Sequence, residues 1–255
     1  MKKVLVLVLA AIMAIFAAGY SYADETDISE AYALYARANE NYIAAASFAT
    51  YNDIEIGMGE MVIRIQGDII GAFPSESDMI MEADLVMEMD LGIELEEGQA
   101  QEPMQVPIQM YYADGWSYSE TSGVKYKQPM DEAEAASFSG ISEMFPESAV
   151  KDVVVDGNAL TFTVDGSAIE GMTSARMNAT GAGSEDVEIL GTCEFTVVID
   201  EDENIQSITL APVTMNLSAG DESIECYMSM YTEVNQLGDV TVELPEDLDA
   251  YEELE

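Results

Sequence analysis

The sequence predicts an α+β chain dominated by antiparallel strands, and two patterns carry that reading. The first is alternation. In MIMEADLVMEMDLGIELEE, residues 79–97, every odd position from Met79 to Leu95 is apolar, while Glu82, Asp84, Glu88, Asp90, Glu94 and Glu96 take even positions. A period of two marks a strand with one dry face and one wet face. The second is segmentation: alternating runs recur, divided by short turns rich in Gly, Asp and Ser, and few stretches show helical spacing.

Taken in order, the first residues read as an address. Lys2 and Lys3 precede the apolar run VLVLVLAAIMAIFAA, and Ser21 and Ala23 stand where a signal peptidase reads. Residues 1–23 are therefore expected to be a secretory signal cleaved after Ala23, with an uncleaved anchor as the alternative. No cysteine follows the run, so lipid attachment at the cleavage site is not expected. Residues 24–255 contain no Pro- or Gly-rich linker and are expected to form one domain.

Asp27 followed by Glu30 resembles a capping box, and Ile28, Tyr32, Tyr35 and Tyr42 recur at helical spacing, so a helix is expected to about Ala46. Ile54 and Ile56 open a strand whose parity switches after Gly57 and Gly59, which suggests a bulge or bend. Residues 79–97 pair naturally with MQVPIQMYY. A hairpin with Leu95 opposite Met104 also sets Ile93 against Val106, Leu91 against Ile108, Met89 against Met110 and Met87 against Tyr112. Pro107 argues for an edge or a bulge there. At Asp114-Gly115 a three-residue turn is expected, because it keeps Trp116 and Tyr118 on the apolar face. Residues 130–145 read as a helix, Asp156-Gly157-Asn158 as a hairpin turn, and GSAIEGMTSARM as a short helix. Three strands follow, around residues 193–199, 205–217 and 223–234, completing a meander.

That order resembles the exported proteins of Gram-positive bacteria in the LolA/LppX-like lipoprotein-carrier superfamily. The resemblance rests on the helix, the Met-rich strands, the ADGWSYSETSGVKYKQPM hairpin, DVVVDGNALTFTVDGSAI, FTVVIDEDENIQSITL and the closing LPEDLDAYEEL. It implies a strongly curved antiparallel sheet, an unclosed half-barrel, with helices packed in the concave side and acyl chains held in the hollow. Many such relatives carry a lipidated cysteine after the signal, and this chain does not. No residue-level motif of the carriers can be placed on it.

Charge narrows the partners. Loss of residues 1–23 removes two of eight basic residues and none of fifty acidic ones, leaving a net charge of −44. Such a field repels nucleic acid and anionic membranes, so neither is an expected partner. With no histidine there is no Ser-His-Asp or Cys-His unit and no imidazole metal site. No phosphate-cradling loop occurs, and any choice of a carboxylate dyad would be arbitrary. Asp200, Asp202 and Asn204 match three calcium-loop positions, but Ile205 and Ala211 replace the required glycine and glutamate, so a hairpin turn is expected instead. In a simple meander Cys193 and Cys226 fall on strands separated by a third, too far apart to bridge, so buried thiols are expected unless the strand order is not sequential.

Methionine stands out on the apolar face. The candidate ligand-binding surface is Met81, Leu85, Met87, Met89, Leu91, Ile93, Val106, Ile108, Met110 and Tyr112. Methionine is soft and adapts to varied greasy partners. The expected function is a secreted, monomeric, non-enzymatic carrier or binder of an apolar or acylated, lipid-like molecule, with no cofactor or metal. The alternative is a cell-envelope or surface interaction module whose same face is filled by its own helices. A third class, an acid-faced cation binder, has weaker support.

Overall fold

The computed structural model describes residues 28–75, 78–92, 94–95, 99–100, 102–130, 145–170, 187–219 and 222–253. The expected signal segment, Asp27, Ile93, residues 131–144 of the helix expected over 130–145, and the end of GSAIEGMTSARM lie outside the described residues. Among the described residues no helix is long and apolar enough to cross a membrane.

Helix α1, Ile28–Ala44, buries Ala31, Tyr35, Ala38, Asn39 and Tyr42 along one stripe. That stripe packs inside a single curved, unclosed sheet of twelve strands. The first half runs as a meander through β1 Ser47–Met58, β2 Met61–Ser75, β3 Asp78–Asp90, β6 Met104–Ala113, β7 Trp116–Thr121 and β8 Val124–Pro129. Short strands β4, Glu94–Leu95, and β5, Gln99–Ala100, pair with each other in the β3–β6 connection. The second half begins at the far side with β10, Ala159–Asp165, beside which runs β9, Val150–Asp156, outside the twelve. It continues through β12 Thr192–Ile199, β13 Ile205–Ala219 and β14 Glu222–Leu237, with β11, Val187–Ile189, beside β13. The halves join where β14 pairs with β1, so the sheet is two meanders set side by side rather than one. A last short strand, β15, Glu252–Glu253, pairs in parallel with β8.

Several expectations change in register. Gly57 and Gly59 do not bend one strand. Met58 pairs with Met61 across a two-residue turn, with Gly59 at φ 62°, so the parity switch is a chain reversal. Strand β3 stops at Asp90 instead of running to residue 97. Gly92 turns the chain at φ 63°, and its backbone amide donates to the Asp90 carboxylate. Strand β6 therefore pairs six residues back from expectation, with Met89 opposite Met104, Met87 opposite Val106, Leu85 opposite Ile108, Ala83 opposite Met110 and Met81 opposite Tyr112. Six is even, so every apolar residue still meets an apolar residue. Pro107 pairs with Val86 of β3, while β7 pairing begins only at Ile108, so Pro107 lies where β6 is still an edge on its β7 side.

The Asp114-Gly115 turn has two residues, both at positive φ, and pairs Ala113 with Trp116. Trp116 and Tyr118 thus face outward with Tyr111, opposite to expectation. Lys127 sits over Trp116, and the C-terminal segment covers Tyr118. After β14 it is held by the Val240 amide donating to Ser47 Oγ at 2.9 Å, and it crosses the outer face to the β8 edge. There Tyr251 meets Tyr118 edge-on at 5.4 Å, and Lys125 bonds Asp247 at 2.7 Å while sitting over the Tyr251 ring. Burial, the largest effect, pushes the Glu82 carboxyl above its usual range where it accepts the Glu243 amide under this segment.

The five described basic residues are all engaged: Arg37 with Glu203, Arg64 with Asp53, Lys125 with Asp247, Lys151 with Asp165, and Lys127 over Trp116. Such exposed pairs contribute at most about 1 kcal/mol each. Fifty acidic against eight basic residues leave self-repulsion dominant. Added salt is therefore expected to raise the melting temperature near neutral pH, because screening relieves repulsion more than it weakens pairs. A melting temperature that falls between low salt and about 0.5 M, where the Debye length is only a few Å, would reverse that balance.

Candidate functional site

Two-residue alternation places one face of every long strand inside, and the registers tie these faces into continuous rows. One row runs Phe162, Phe195, Leu210, Met230, Ile54, Ile65, Met87, Val106, each residue paired with the next. Seven strand spacings make it roughly 34 Å along the curve, at about 4.8 Å per spacing. Its β10–β12 end is covered by α1. There Tyr35 stacks on Phe145 at 5.5 Å and meets Phe162 at 5.6 Å, and Phe145 stacks on Phe195 at 5.7 Å.

The candidate residues divide by depth. Met81 and Met87 are 2% and 3% exposed, and Ile108, Met110 and Tyr112 are also buried. Leu85, Met89 and Val106 are half-buried. Leu91 has left the strand and is 38% exposed. The inner face is thus closed beside Tyr112 and opens toward the tips of the β1–β2 and β3–β6 hairpins. At that open end the row Met228, Ile56, Ile63, Met89, Met104 finishes on a methionine 49% exposed. Met58 and Met61 stand alongside, half-buried. Residues 58 and 61 thus extend the candidate surface, and their alternation with Ile56 and Ile63 is the signal that would have included them.

Polar residues interrupt the inner face in mid-sheet. Thr50, Asn52 and Thr232 are buried, with Thr232 Oγ1 donating to Asn52 Oδ1 at 2.8 Å and Asn52 Nδ2 donating to Thr50 Oγ1 at 3.1 Å. In the same row Gly67 lies between Asn52 and Leu85. Asn52 and Thr232 share the parity of Ile54 and Met230, which is how a sequence reading could have placed them inside.

The outer face differs. Where β13 carries one extra residue around Ala211–Pro212, a groove of about 340 Å³ opens, lined by Asp53, Glu55, Arg64, Thr209, Ser229 and Tyr231 among others. Arg64 Nε donates to Asp53 at 2.8 Å, which holds the Asp53 carboxyl below its usual range. The Asp200–Asn204 stretch is a turn, as expected: the Asp200 carboxylate accepts the amides of Asp202 and Asn204, and Glu203 takes a positive φ of 59°. Among the described residues no group of three or more Cys, Asp and Glu could hold a metal ion.

Both cysteines are free and buried on the inner face, as expected. Burial, with smaller help from Asp165 and Glu170, pushes the Cys193 thiol up to about 12, and burial with Glu225 pushes Cys226 up to about 11. Neither should react with a thiol reagent at pH 8 in the folded protein, while both should react in denaturant. An unfolded thiol ionises near pH 8.5. Stability should therefore fall as pH rises from there toward 11–12, where the folded thiols follow. Native labelling at pH 8 would show the thiols to be accessible.

Neither a family model nor a curated protein sequence matches the chain. Solved structures do. Lipoprotein LprF from Mycobacterium bovis matches with a TM-score of 0.45 at 9% identity, over 89% of this chain and 99% of that one. Mycobacterium tuberculosis lipoprotein LppX matches at 0.44 and 11%, over 84% and 98%. A LolA superfamily protein from Nitrosomonas europaea matches at 0.28 and 6%, over 86% and 96%.

Proposed function

We propose that the protein is a secreted, non-enzymatic carrier or binder of an apolar or acylated molecule, held against the inner face of the sheet. The supporting observation is the exposure gradient along one continuous apolar face. It passes from 2% at Met81, through the half-buried Met89, to 49% at Met104. A face meant only as core has no reason to run apolar past its covered part, because exposed strand positions tolerate polar residues freely. This one ends on Met58, Met61, Met89 and Met104, unbranched side chains that fit varied partners at little cost. Binding sites of this kind are mostly apolar, with few polar groups to fix orientation.

The test is native mass spectrometry and solvent extraction of protein purified from its own host. A bound apolar species, released on denaturation, is the expected result. Protein that repeatedly emerges free of lipid, and takes up no apolar fluorophore, would favour an interaction module whose inner face is filled by its own chain.

A further inference from the structure

We propose that the ligand bears a neutral hydrogen-bond donor, a hydroxyl or an amide N–H, and that Asn39 receives it inside the sheet. This rests on the carrier reading and names the class of molecule carried. Asn39 is only 6% exposed, and its Oδ1 is buried with no hydrogen-bond partner among the described residues. A buried acceptor left unpaired costs stability, so it calls for an occupant. Its place in the fold says where. Asn39 shares the sheet-facing stripe of α1 with Tyr35 and Tyr42. Tyr35 packs against Phe162 of β10 at 5.6 Å, and Tyr42 against Phe48 of β1 at 5.9 Å. Strands β12, β13 and β14 lie between β10 and β1, so the turn bearing Asn39 looks onto the β12–β14 side of the concave face. Strands β14 and β1 carry the buried Thr232, Thr50 and Asn52. Polar groups here interrupt a surface that is otherwise apolar.

Charge decides which donor fits. No Asp, Glu, Lys or Arg is among the buried described residues. Every described basic residue is already engaged in an ion pair or over a ring. A carboxylate or phosphate reaching Asn39 would meet an acceptor and no counter-charge, and an ammonium would find no carboxylate; burying either is prohibitive. A long-chain alcohol, an acylglycerol with a free hydroxyl, or a fatty amide meets the condition.

The experiment uses five oleyl probes competing with the apolar fluorophore diphenylhexatriene: oleyl alcohol, its methyl ether, oleamide, N,N-dimethyloleamide and oleate. The alcohol and primary amide should compete at concentrations about tenfold below those of their methylated counterparts, the worth of one hydrogen bond. Oleate should be the weakest. In Asn39→Leu the tenfold gap should close, while the melting temperature holds or rises because an unpaired acceptor has been removed. Methylated probes that match their parents in the wild-type protein would assign the acceptor to a retained water and overturn the proposal. So would strongest binding by oleate, or a gap that persists in Asn39→Leu. If Asn39→Leu fails to fold, the wild-type comparison alone decides. Uptake of all five alike would leave the carrier reading standing and remove this one. Failure to take up diphenylhexatriene or any probe would remove both.

Discussion

Replacing Gly67 by alanine should cost more than about 4 kcal/mol, among the largest losses a single methyl can cause. Gly67 has φ 152°, a region that side chains rarely adopt, and it stands in the middle of β2 against β3. A Cβ there would lie 2.0 Å from the Asp84 carbonyl oxygen and 2.9 Å from Leu85 Cα. Both are backbone atoms of the neighbouring strand, so relief requires prying β2 from β3 along a ladder that runs from Val62–Asp90 to Ala72–Ile80. Native stability totals only about 5–15 kcal/mol, so Gly67→Ala should approach unfolding. The control is Gly59→Ala, at φ 62° with nothing within 4 Å of the new atom. It carries only the left-handed strain of about 1–2 kcal/mol. Urea unfolding of the two variants checks the contrast, and losses within 1 kcal/mol of each other would mean that the close strand approach at Gly67 is absent.

Gly67 also shows why parity was readable and register was not. Period-two alternation tells which residues share a face, and that holds for Met79 to Met89, Met104 to Tyr112, Cys193 to Ile199 and Met228 to Val234. Pairing by parity alone is satisfied equally by slips of two, four or six residues. The β3–β6 hairpin takes the six-residue slip because Gly92 ends β3 early. That ending depends on a distant neighbour: a Cβ on Gly92 would lie 2.5 Å from the Glu60 carbonyl oxygen, in the β1–β2 turn. The turn at Asp114-Gly115 follows the same logic. Asp-Gly is a strong two-residue hairpin signal, but two residues put Trp116 and Tyr118 on the wet face. Only the C-terminal segment, more than a hundred residues later, covers Tyr118 there through Tyr251.

The candidate site was legible to a similar extent. Alternation found the dry face of β3 and β6, and the order of elements suggested the curved sheet. The β1–β14 pairing that joins the two halves leaves no local trace, so Ile54, Ile56, Met228 and Met230 could not be placed on the same surface. Asn39 was hidden because a polar residue on a helix normally reads as solvated. Its burial follows from Tyr35 and Tyr42 on either side of it along the same stripe.

The inner face should separate stability from uptake. Met87→Ala removes a side chain 3% exposed, flanked in its row by Ile65 and Val106. It should lose about 2–5 kcal/mol, from transfer energy plus the void left behind. Ala83→Leu, between Ile69 and Met110, should lose about 1–3 kcal/mol by overpacking a buried position. Met104→Ala removes a side chain 49% exposed and should change stability by no more than about 0.5 kcal/mol. Uptake of an apolar fluorophore should rank the variants differently. Met104→Ala and Met89→Ala should weaken it severalfold, because they strip the apolar surface a ligand meets first, while the fold is intact. A Met104→Ala protein with unchanged uptake would move entry away from the hairpin tips. If Met89→Ala also left uptake unchanged, the open end of this face would be ordinary exposed surface. If instead Met87→Ala cost little and Ala83→Leu abolished uptake without loss of stability, the ligand would occupy the deep rows. The boundary between core and site would then lie beneath Tyr112 rather than at Leu85.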